Sequence, residues 1–208
     1  MELTARPEQV AEIARLARDS AAEVIVTPSS RPSNLGARLT QQGLQVVRLQ
    51  QVRYLGRFPA HWGPSPVQVR RAGPNDLALW STLVQQAYGL PANHRAHSAE
   101  ATARAVRECG DRLTCYLAYL GGRPAGTVQT YRSGDVWRVA ALGTLPDFRR
   151  QGVARALLWQ AAQDWAQAGG RLLFLEHAPA GPARALYERL GMPLAYERVF
   201  YSAVGSSQ

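Results

Sequence analysis

Hydrophobic and polar positions recur along this chain with two different periods, and their order predicts a mixed α/β fold. Alternation with period two predicts a strand, and recurrence every three or four residues predicts an amphipathic helix. After residue 66 the order is strand, two helices, three strands, and then helix, strand, helix and strand. These segments span residues 67–72, 77–88, 98–109, 113–120, 124–132, 136–145, 152–168, 172–177, 182–190 and 194–204.

The strand connections predict how the sheet is assembled. Short turns join the three strands between residues 113 and 145, so we expect an antiparallel meander. A helix connects the strand of 136–145 to that of 172–177, and such a crossover is right-handed between parallel strands. The second of these strands reads LLFLEH, a nearly continuous apolar run that is typical of burial on both faces. We therefore predict a mixed sheet flanked by helices.

Polar residues and glycines mark where the helices begin and end. Asn75 or Asp76 can cap the helix that starts at residue 77, and Ser98 can cap the helix that follows. Gly191 stands directly after the helix of 182–190, where a left-handed residue commonly ends a helix. These positions support the predicted helix boundaries.

A proline- and glycine-rich stretch, FPAHWGPSPV at residues 58–67, is the best candidate for a domain boundary. We predict an N-terminal α/β segment over 1–58, a linker over 59–66 and a larger domain over 67–208. The N-terminal segment reads as helix, strand, helix and strand. Half a sheet cannot bury its own face, so the segment is expected to pack on the larger domain or on a second chain in a homodimer.

The N-terminal segment resembles the end of the chain in the order of its elements. Gly43 and Gly191 lie 148 residues apart (191 minus 43), and the same shift places 24–26 on 172–174 without a gap. The helices of the two segments also coincide. Two interpretations stay open: a duplicated half-domain, or two independent copies of a common pattern with few identical residues.

Composition narrows the class of protein. The chain is 46% hydrophobic, its formal net charge is +9, and all 24 basic residues other than histidine are arginine. The opening residues MELTARPEQV lack the basic and apolar blocks of a signal peptide, which predicts a cytoplasmic protein. The bias toward arginine and alanine suggests a GC-rich, bacterial genome. Two cysteines and four scattered histidines give no disulfide framework and no metal-site spacing.

The stretch LPDFRRQGVARALL, residues 145–158, carries the chemistry. It follows a predicted strand and begins a helix, yet no Ser, Thr, Asp or Asn stands where a side-chain cap is expected. The first N–H groups of a helix have no partner within it, and the helix dipole is positive there. Gly152 allows close approach of a ligand, and the arginines add positive charge. The stretch is therefore predicted to bind an anion such as a pyrophosphate.

The spacing Arg-x-x-Gly-x-Ala identifies a family resemblance. It is neither a Walker loop nor a dinucleotide fingerprint. It resembles the acyl-CoA loop of the GCN5-related N-acetyltransferase (GNAT) family, and LYERLG at residues 186–191 resembles that family's final helix. The element order from 67 to 204 is similar to the whole family domain, in which the fourth and fifth strands splay apart. The N-terminal segment resembles a truncated form of the tandem arrangement found in some members.

The resemblance implies a donor, a reaction and the residues that perform it. The donor would be acetyl-CoA or another acyl-CoA, and the acceptor a primary amine of a small molecule or peptide. Tyr187 would be the general acid for the departing thiolate. The backbone of Leu142, Gly143 and Thr144 would line the pantetheine arm. Arg149 opens the motif, and the pyrophosphate would be held by the backbone N–H groups of Arg150, Gln151, Gly152, Val153, Ala154 and Arg155.

The chain departs from the family pattern at two positions. The asparagine that often touches pantetheine is matched by Ala180, and the glutamate that often serves as general base is matched by Arg138. Glu176 and His177, at the end of the strand that precedes the last helix, are the nearest substitutes for that base. The loop of 89–97, with His94, Arg95 and His97, lies where the family admits its acceptor.

Two other functions are consistent with parts of the sequence. The two departures favour a non-catalytic acyl-CoA-binding module, whereas the presence of Tyr187 favours an enzyme. The net charge of +9 suggests nucleic-acid binding, but the basic residues are spread along the chain instead of alternating with aromatics on one face. We therefore expect neither a nucleic-acid nor a membrane partner.

Overall fold

A computed structural model describes residues 6–59, 62, 65–91, 94 and 98–203. Within these residues the chain forms six helices and eight strands. The helices are α1 (Pro7–Ser20), α2 (Leu35–Gln41), α3 (Leu77–Tyr88), α4 (Ala99–Cys109), α5 (Val153–Gln167) and α6 (Pro182–Arg189). The strands are β1 (Val24–Val26), β2 (Leu44–Leu55), β3 (Gln68–Arg71), β4 (Leu113–Leu120), β5 (Arg123–Ser133), β6 (Val136–Thr144), β7 (Leu172–His177) and β8 (Leu194–Ala203).

The chain divides into two compact units. The central unit runs from Tyr54 to Leu175, and the terminal unit combines the residues up to Arg53 with those from Glu176 onwards. The division of the sequence at residues 58 and 67 stays a prediction. No helix among the described residues is long and apolar enough to cross a membrane.

The central unit contains the predicted mixed sheet. Strands β3, β4, β5 and β6 pair antiparallel in sequence order, which confirms the meander. Strand β7 pairs parallel with β6, from Val136 opposite Leu172 to Val139 opposite Leu175. Beyond Val139 strand β6 continues to Thr144, so the parallel ladder covers only its first part. The fold is the predicted α/β class, with an antiparallel meander and one parallel pair.

A buried carboxylate ties helix α5 to the sheet of the central unit. Asp164 Oδ2 accepts hydrogen bonds from Tyr116 Oη at 2.7 Å and from Arg71 Nη2 at 2.6 Å. Gln160 Nε2 donates to the other carboxylate oxygen at 2.9 Å. The Asp164 side chain is 6% exposed, so its partners replace water that the carboxylate has lost.

We expect Asp164→Asn to lower the free energy of unfolding by about 2 kcal/mol, because it leaves buried donors without a charged acceptor. Urea denaturation of the purified protein measures this change. Asp135→Asn is the control, since the Asp135–Arg171 pair is exposed and such pairs contribute about 0–1 kcal/mol. Equal losses in the two variants would contradict the anchoring role of Asp164.

The two thiols of the central unit differ in burial. Cys115 lies on β4 in a core with Trp80, Val84 and Leu117, whereas Cys109 is half-buried at the end of α4. Burial raises the pKa of the Cys115 thiol to about 11, and the thiolate is the reactive form. We expect a thiol reagent at pH 8 to modify Cys109 quickly and Cys115 only after unfolding. Cys109→Ser should therefore abolish the fast phase, and a remaining fast phase would contradict this prediction.

Strand β8 is central to the sheet of the terminal unit. It pairs antiparallel with β1 on one side and with β2 on the other. Helices α1 and α2 cover one face, where the buried core is apolar. That core comprises Val10, Ala14, Ala17, Leu35, Leu39, Leu44 and Tyr201. The predicted α-β-α-β order of the N-terminal segment is confirmed.

The pairing of β2 with β8 follows the 148-residue shift seen in the sequence. Gln50 lies opposite Arg198, the residue that corresponds to Gln50 under the shift (198 minus 50). Arg198 Nη2 donates to Gln50 Oε1 at 2.8 Å. From Val46 opposite Tyr201 to Arg53 opposite Leu194, the shift converts each remaining pair into another pair of the ladder, for example Arg53–Leu194 into Val46–Tyr201. The two register irregularities are exchanged as well. This part of the ladder therefore has an internal two-fold relation, and the duplication of a half-domain stays a prediction.

One predicted helix cap is confirmed and one is wrong. Ser98 Oγ accepts from Ala101 N at 3.1 Å, as expected for the start of α4. No side-chain cap bond is present at the start of α3. A 3-10 turn precedes α3, and Asp76 Oδ2 accepts there from Gly73 N at 2.8 Å. Asp76 therefore caps the short turn instead of the helix.

Candidate functional site

Helix α5 begins without a side-chain cap, as its sequence predicted. The residue before it, Gly152, is the N-cap; it has φ 85° and makes no side-chain cap bond. Arg150 also has a positive φ, 62°, which is uncommon for a residue with a side chain. The loop is therefore bent so that free N–H groups and the positive end of the helix dipole meet at one place.

Two side chains of this loop donate hydrogen bonds to backbone carbonyl groups. Arg149 Nη2 donates to Ala87 O at 3.3 Å and Arg149 Nε to Thr144 O at 3.4 Å. Gln151 Nε2 donates to Asp147 O at 2.8 Å. Arg149 thus links the end of α3 to the end of β6. These contacts occupy the side chains of Arg149 and Gln151 and do not involve the backbone N–H groups at the helix start.

A β-bulge in β6 precedes the loop, and the sequence did not predict it. Thr127 lies opposite Gly143 and Gln129 opposite Ala140, so β6 contains one extra residue between these pairs. Ala141 has φ 49°, and Thr127 Oγ1 donates to its carbonyl at 3.0 Å. Such bulges redirect a strand and are frequent beside active sites. Here the bulge redirects the backbone from Leu142 to Thr144, the predicted pantetheine-binding segment.

Two glycines allow the elements around this segment to approach closely. A Cβ on Gly126 of β5 would lie 2.5 Å from Gly143 O and 2.8 Å from Val153 Cγ1. A Cβ on Gly143 would lie 2.7 Å from Ala87 Cβ. Glycine at these positions therefore permits contact between β5, β6, α3 and the start of α5.

Tyr88, at the end of α3, is a second residue that the sequence did not single out. Its hydroxyl donates to Leu142 O at 3.1 Å, directly after the bulge. Loss of solvent around the hydroxyl raises the pKa of Tyr88, so the group stays a neutral donor. The contact spans 54 residues of sequence, which explains why local patterns gave no sign of it.

A cavity of about 250 Å³ lies between α5 and the segment that leads into β3. Its lining includes Arg155, Trp159 and Ser65, and the Ser65 hydroxyl also lies 3.8 Å from where a Gly152 side chain would begin. The ring of Trp159 packs against Phe58, with centroids 4.7 Å apart. The cavity therefore adjoins the loop that precedes α5.

In the terminal unit, two of the three predicted catalytic residues are in contact. The ring of His177, at the end of β7, lies 5.0 Å from the ring of Tyr187, the only buried residue of α6. His177 Nε2 accepts from Arg53 Nε at 3.0 Å. Because Nε2 is an acceptor, the proton is on Nδ1, which donates to Ala178 O at 2.6 Å. Burial is the main cause that lowers the pKa of His177, and it keeps the ring neutral.

Glu176 is directed away from this pair. Neighbouring residues of a strand face opposite sides of the sheet, so only His177 shares a face with Tyr187. Glu176 Oε1 instead accepts from Arg198 Nη2 at 2.7 Å, and its side chain is 9% exposed. The pair places the Glu176 carboxylate on the opposite face of β7 from Tyr187.

The predicted loop, bulge and pantetheine residues belong to the central unit, and Glu176, His177 and Tyr187 belong to the terminal unit. Arg138 and Ala180, which replace the family's glutamate and asparagine, are both exposed. His94 is half-buried, while Arg95 and His97 lie outside the described residues. Within the described residues, no cluster of three His, Cys, Asp or Glu side chains could hold a metal ion.

The sequence matches the family model described as Acetyltransferase (GNAT) family over residues 78–192. That range includes the loop before α5, the bulge and Tyr187. No curated protein matches the sequence.

Solved structures resemble the whole chain or its larger part. A GCN5-related N-acetyltransferase from Kribbella flavida is 20% identical with a TM-score of 0.71, over 98% of this chain and 79% of its own. The ribosomal-protein-S18-alanine N-acetyltransferase from Escherichia coli is 22% identical with a TM-score of 0.53, over 68% and 98%. AAC(6')-Iy, in complex with the bisubstrate analog CoA-S-monomethyl-acetylneamine, is 22% identical with a TM-score of 0.52, over 61% and 90%. These similarities establish the fold.

Proposed function

Because this chain belongs to the GNAT acetyltransferase family, we propose that it transfers an acyl group from acyl-CoA to a primary amine. Acetyl-CoA is the proposed donor, and a small molecule or a peptide carries the amine. The observation that supports this function most strongly is the uncapped start of α5, with Gly152 at φ 85° and no side-chain cap bond at this position.

The described residues fit the donor. The N–H groups from Arg150 to Arg155 provide donors and positive potential for a pyrophosphate. The bulge at Ala141 redirects the backbone of Leu142, Gly143 and Thr144, whose N–H and C=O groups suit the amides of a pantetheine arm. Arg149 holds Thr144 to the end of α3, so the two parts of the donor site are braced together.

When bound, acyl-CoA supplies an activated thioester for attack by the amine. A backbone N–H near Thr144 donates to the thioester oxygen as negative charge develops there. Tyr187 Oη holds the proton for the leaving sulfur, and general acid catalysis of this type contributes about 10²- to 10⁴-fold. The buried position of Tyr187 limits the exchange of that proton with bulk water.

The proton of the attacking amine needs a different acceptor. Glu176 is the proposed base, acting through water, because its carboxylate lies at the end of β7 and can accept a proton there. His177 is less suited, since the Nε2 lone pair already accepts from Arg53. We therefore assign His177 a positioning role beside Tyr187 in place of the base considered from the sequence.

Two of the similar structures suggest acceptor classes to test. AAC(6')-Iy is bound to an acetylneamine analog, and the Escherichia coli protein is a ribosomal-protein-S18-alanine N-acetyltransferase. The panel should therefore contain aminoglycosides, peptides with free N-termini, polyamines and amino acids. Release of free CoA from acetyl-CoA is measured with a thiol reagent for each amine.

We expect amine-dependent release of CoA for at least one acceptor class, together with the acetylated product by mass spectrometry. Tight binding of acetyl-CoA with no product from any amine would contradict the enzyme. That result would favour the non-catalytic acyl-CoA-binding module, which the exposed Arg138 and Ala180 at the two departures also suggest.

A further inference from the structure

Arg53 is a buried charged side chain to which the proposed chemistry gives no role. It lies near the end of β2, and its side chain is 6% exposed. All three guanidinium nitrogens donate hydrogen bonds within the terminal unit: Nε to His177 Nε2 at 3.0 Å, Nη1 to Met192 O at 2.9 Å, and Nη2 to Glu188 Oε1 at 2.9 Å. The N-terminal segment thus contacts both β7 and the region of α6.

These three contacts surround Tyr187. Glu188 is its neighbour in α6, and the ring of His177 lies 5.0 Å from the Tyr187 ring. Met192, whose carbonyl accepts from Arg53, also donates its N–H to Tyr187 O at 3.0 Å. It is therefore bonded to the backbone of Tyr187. Arg53 therefore holds the strand end, the helix and the turn after the helix around one tyrosine.

The internal two-fold relation shows that this position does not require a charge. The counterpart of Arg53 under the 148-residue shift is Tyr201 (201 minus 53), and the counterpart of Tyr187 is Leu39 (187 minus 39). Tyr201 and Leu39 both belong to the apolar core of the terminal unit. Since burial of a guanidinium costs free energy unless its partners compensate, an apolar residue would stabilise the fold at least as well.

We propose that Arg53 is a positioning residue for acyl transfer, which fixes the Nδ1–H tautomer of His177 and the end of α6 and thereby orients the Tyr187 hydroxyl. This inference rests on the proposed role of Tyr187 as general acid. It gives the N-terminal segment a function in the reaction, through a single side chain. The residue acts through its neighbours and does not itself contact the reacting atoms.

The kinetic test is a double-mutant cycle of Arg53→Met and Tyr187→Phe in the full chain. We expect Arg53→Met to lower kcat by about 10- to 50-fold, with Kd for acetyl-CoA within about twofold, because only the placement of the acid changes. In the Tyr187→Phe background the same substitution should change kcat by less than about twofold. Equal effects in the two backgrounds would overturn the inference.

Two further variants separate positioning from general destabilisation. Arg48→Met is the matched control, because Arg48 lies on the same strand and pairs with Glu23, and it should leave kcat unchanged. Arg53→Lys keeps the charge with a single donor group and should recover part of kcat. If Arg53→Met does not fold, the cycle is performed with Arg53→Lys. A kcat for Arg53→Lys as low as for Arg53→Met would contradict the requirement for a charged donor.

An NMR measurement without substrate tests the same contact independently of turnover. The ¹⁵N signals of the His177 ring, assigned with His177→Asn, should report the Nδ1–H tautomer in the parent protein. The groups facing His177 are Arg53 from β2 and Arg184, Glu188 and Tyr187 from α6. Arg53→Met removes a nearby positive charge and should raise the pKa of His177. Unchanged ring signals would contradict the Arg53 inference, whereas failure of the parent protein to acetylate any amine contradicts the proposed function.

Discussion

Tyr187→Phe is expected to lower kcat for acyl transfer by about 100- to 1,000-fold, because it removes the proton that the leaving sulfur requires. The affinity for acetyl-CoA should stay within about twofold, since the residues proposed to bind the donor are those of the loop and β6. Phenylalanine keeps the ring that packs against His177, so the fold should tolerate the change. Steady-state kinetics with a responsive amine, together with calorimetric titration of acetyl-CoA, measures both quantities.

Tyr201→Phe is the control for this prediction. Tyr201 is a second buried tyrosine of the terminal unit, and it belongs to the core with Leu39 and Leu44. Its replacement removes the same atom without touching α6, so kcat should be unchanged. A Tyr187→Phe variant with the kcat of the parent protein would show that Tyr187 is a core residue and that another group is the acid.

Gly152→Asp is expected to weaken acetyl-CoA binding by about 100-fold or more. A carboxylate at this position can accept from the N–H groups at the start of α5 and would repel a pyrophosphate. Space is available, since the nearest atom to a Cβ here is Ser65 Oγ at 3.8 Å. The positive φ of Gly152 adds backbone strain to any side chain at this position, so the effect of the charge needs a matched control.

Gly152→Asn separates charge from backbone strain in this experiment. Both side chains have similar size, and both must adopt the positive φ of Gly152, which asparagine and aspartate tolerate better than most residues. We expect a loss of about tenfold in affinity for the neutral variant, smaller than the loss for Gly152→Asp. Equal affinities of the two variants, measured by calorimetry, would contradict an electrostatic role of the helix start.

Local sequence patterns were sufficient to predict the order of the helices and strands and the uncapped start of α5. The absence of a cap before α5 and the glycine at 152 are both features of adjacent residues, so the uncapped helix start could be predicted directly. The meander and the parallel crossover followed from the lengths of the connections. Asp76 was assigned to the wrong element because a 3-10 turn and an α-helix begin with the same residue types.

The features that the sequence did not predict depend on contacts between distant residues. The Arg53–His177 bond joins positions 124 residues apart, and the Tyr88–Leu142 bond joins positions 54 apart. The bulge at Ala141 becomes visible only when β6 is aligned with β5, since alanine at a positive φ has no sequence signature. Residue type alone did not distinguish Glu176 from His177, although strand geometry directs them to opposite faces.

The position of β8 between β1 and β2 has a consequence for synthesis on the ribosome. Strand β1 pairs within the terminal unit only with β8, so no partner is present until the chain has been translated past residue 199. The central unit ends at Leu175, 24 residues earlier (199 minus 175), so it is complete first and can fold first. Helices α1 and α2 and strands β1 and β2 therefore leave the ribosome before the central unit but are completed after it, and their strand edges stay open during this interval.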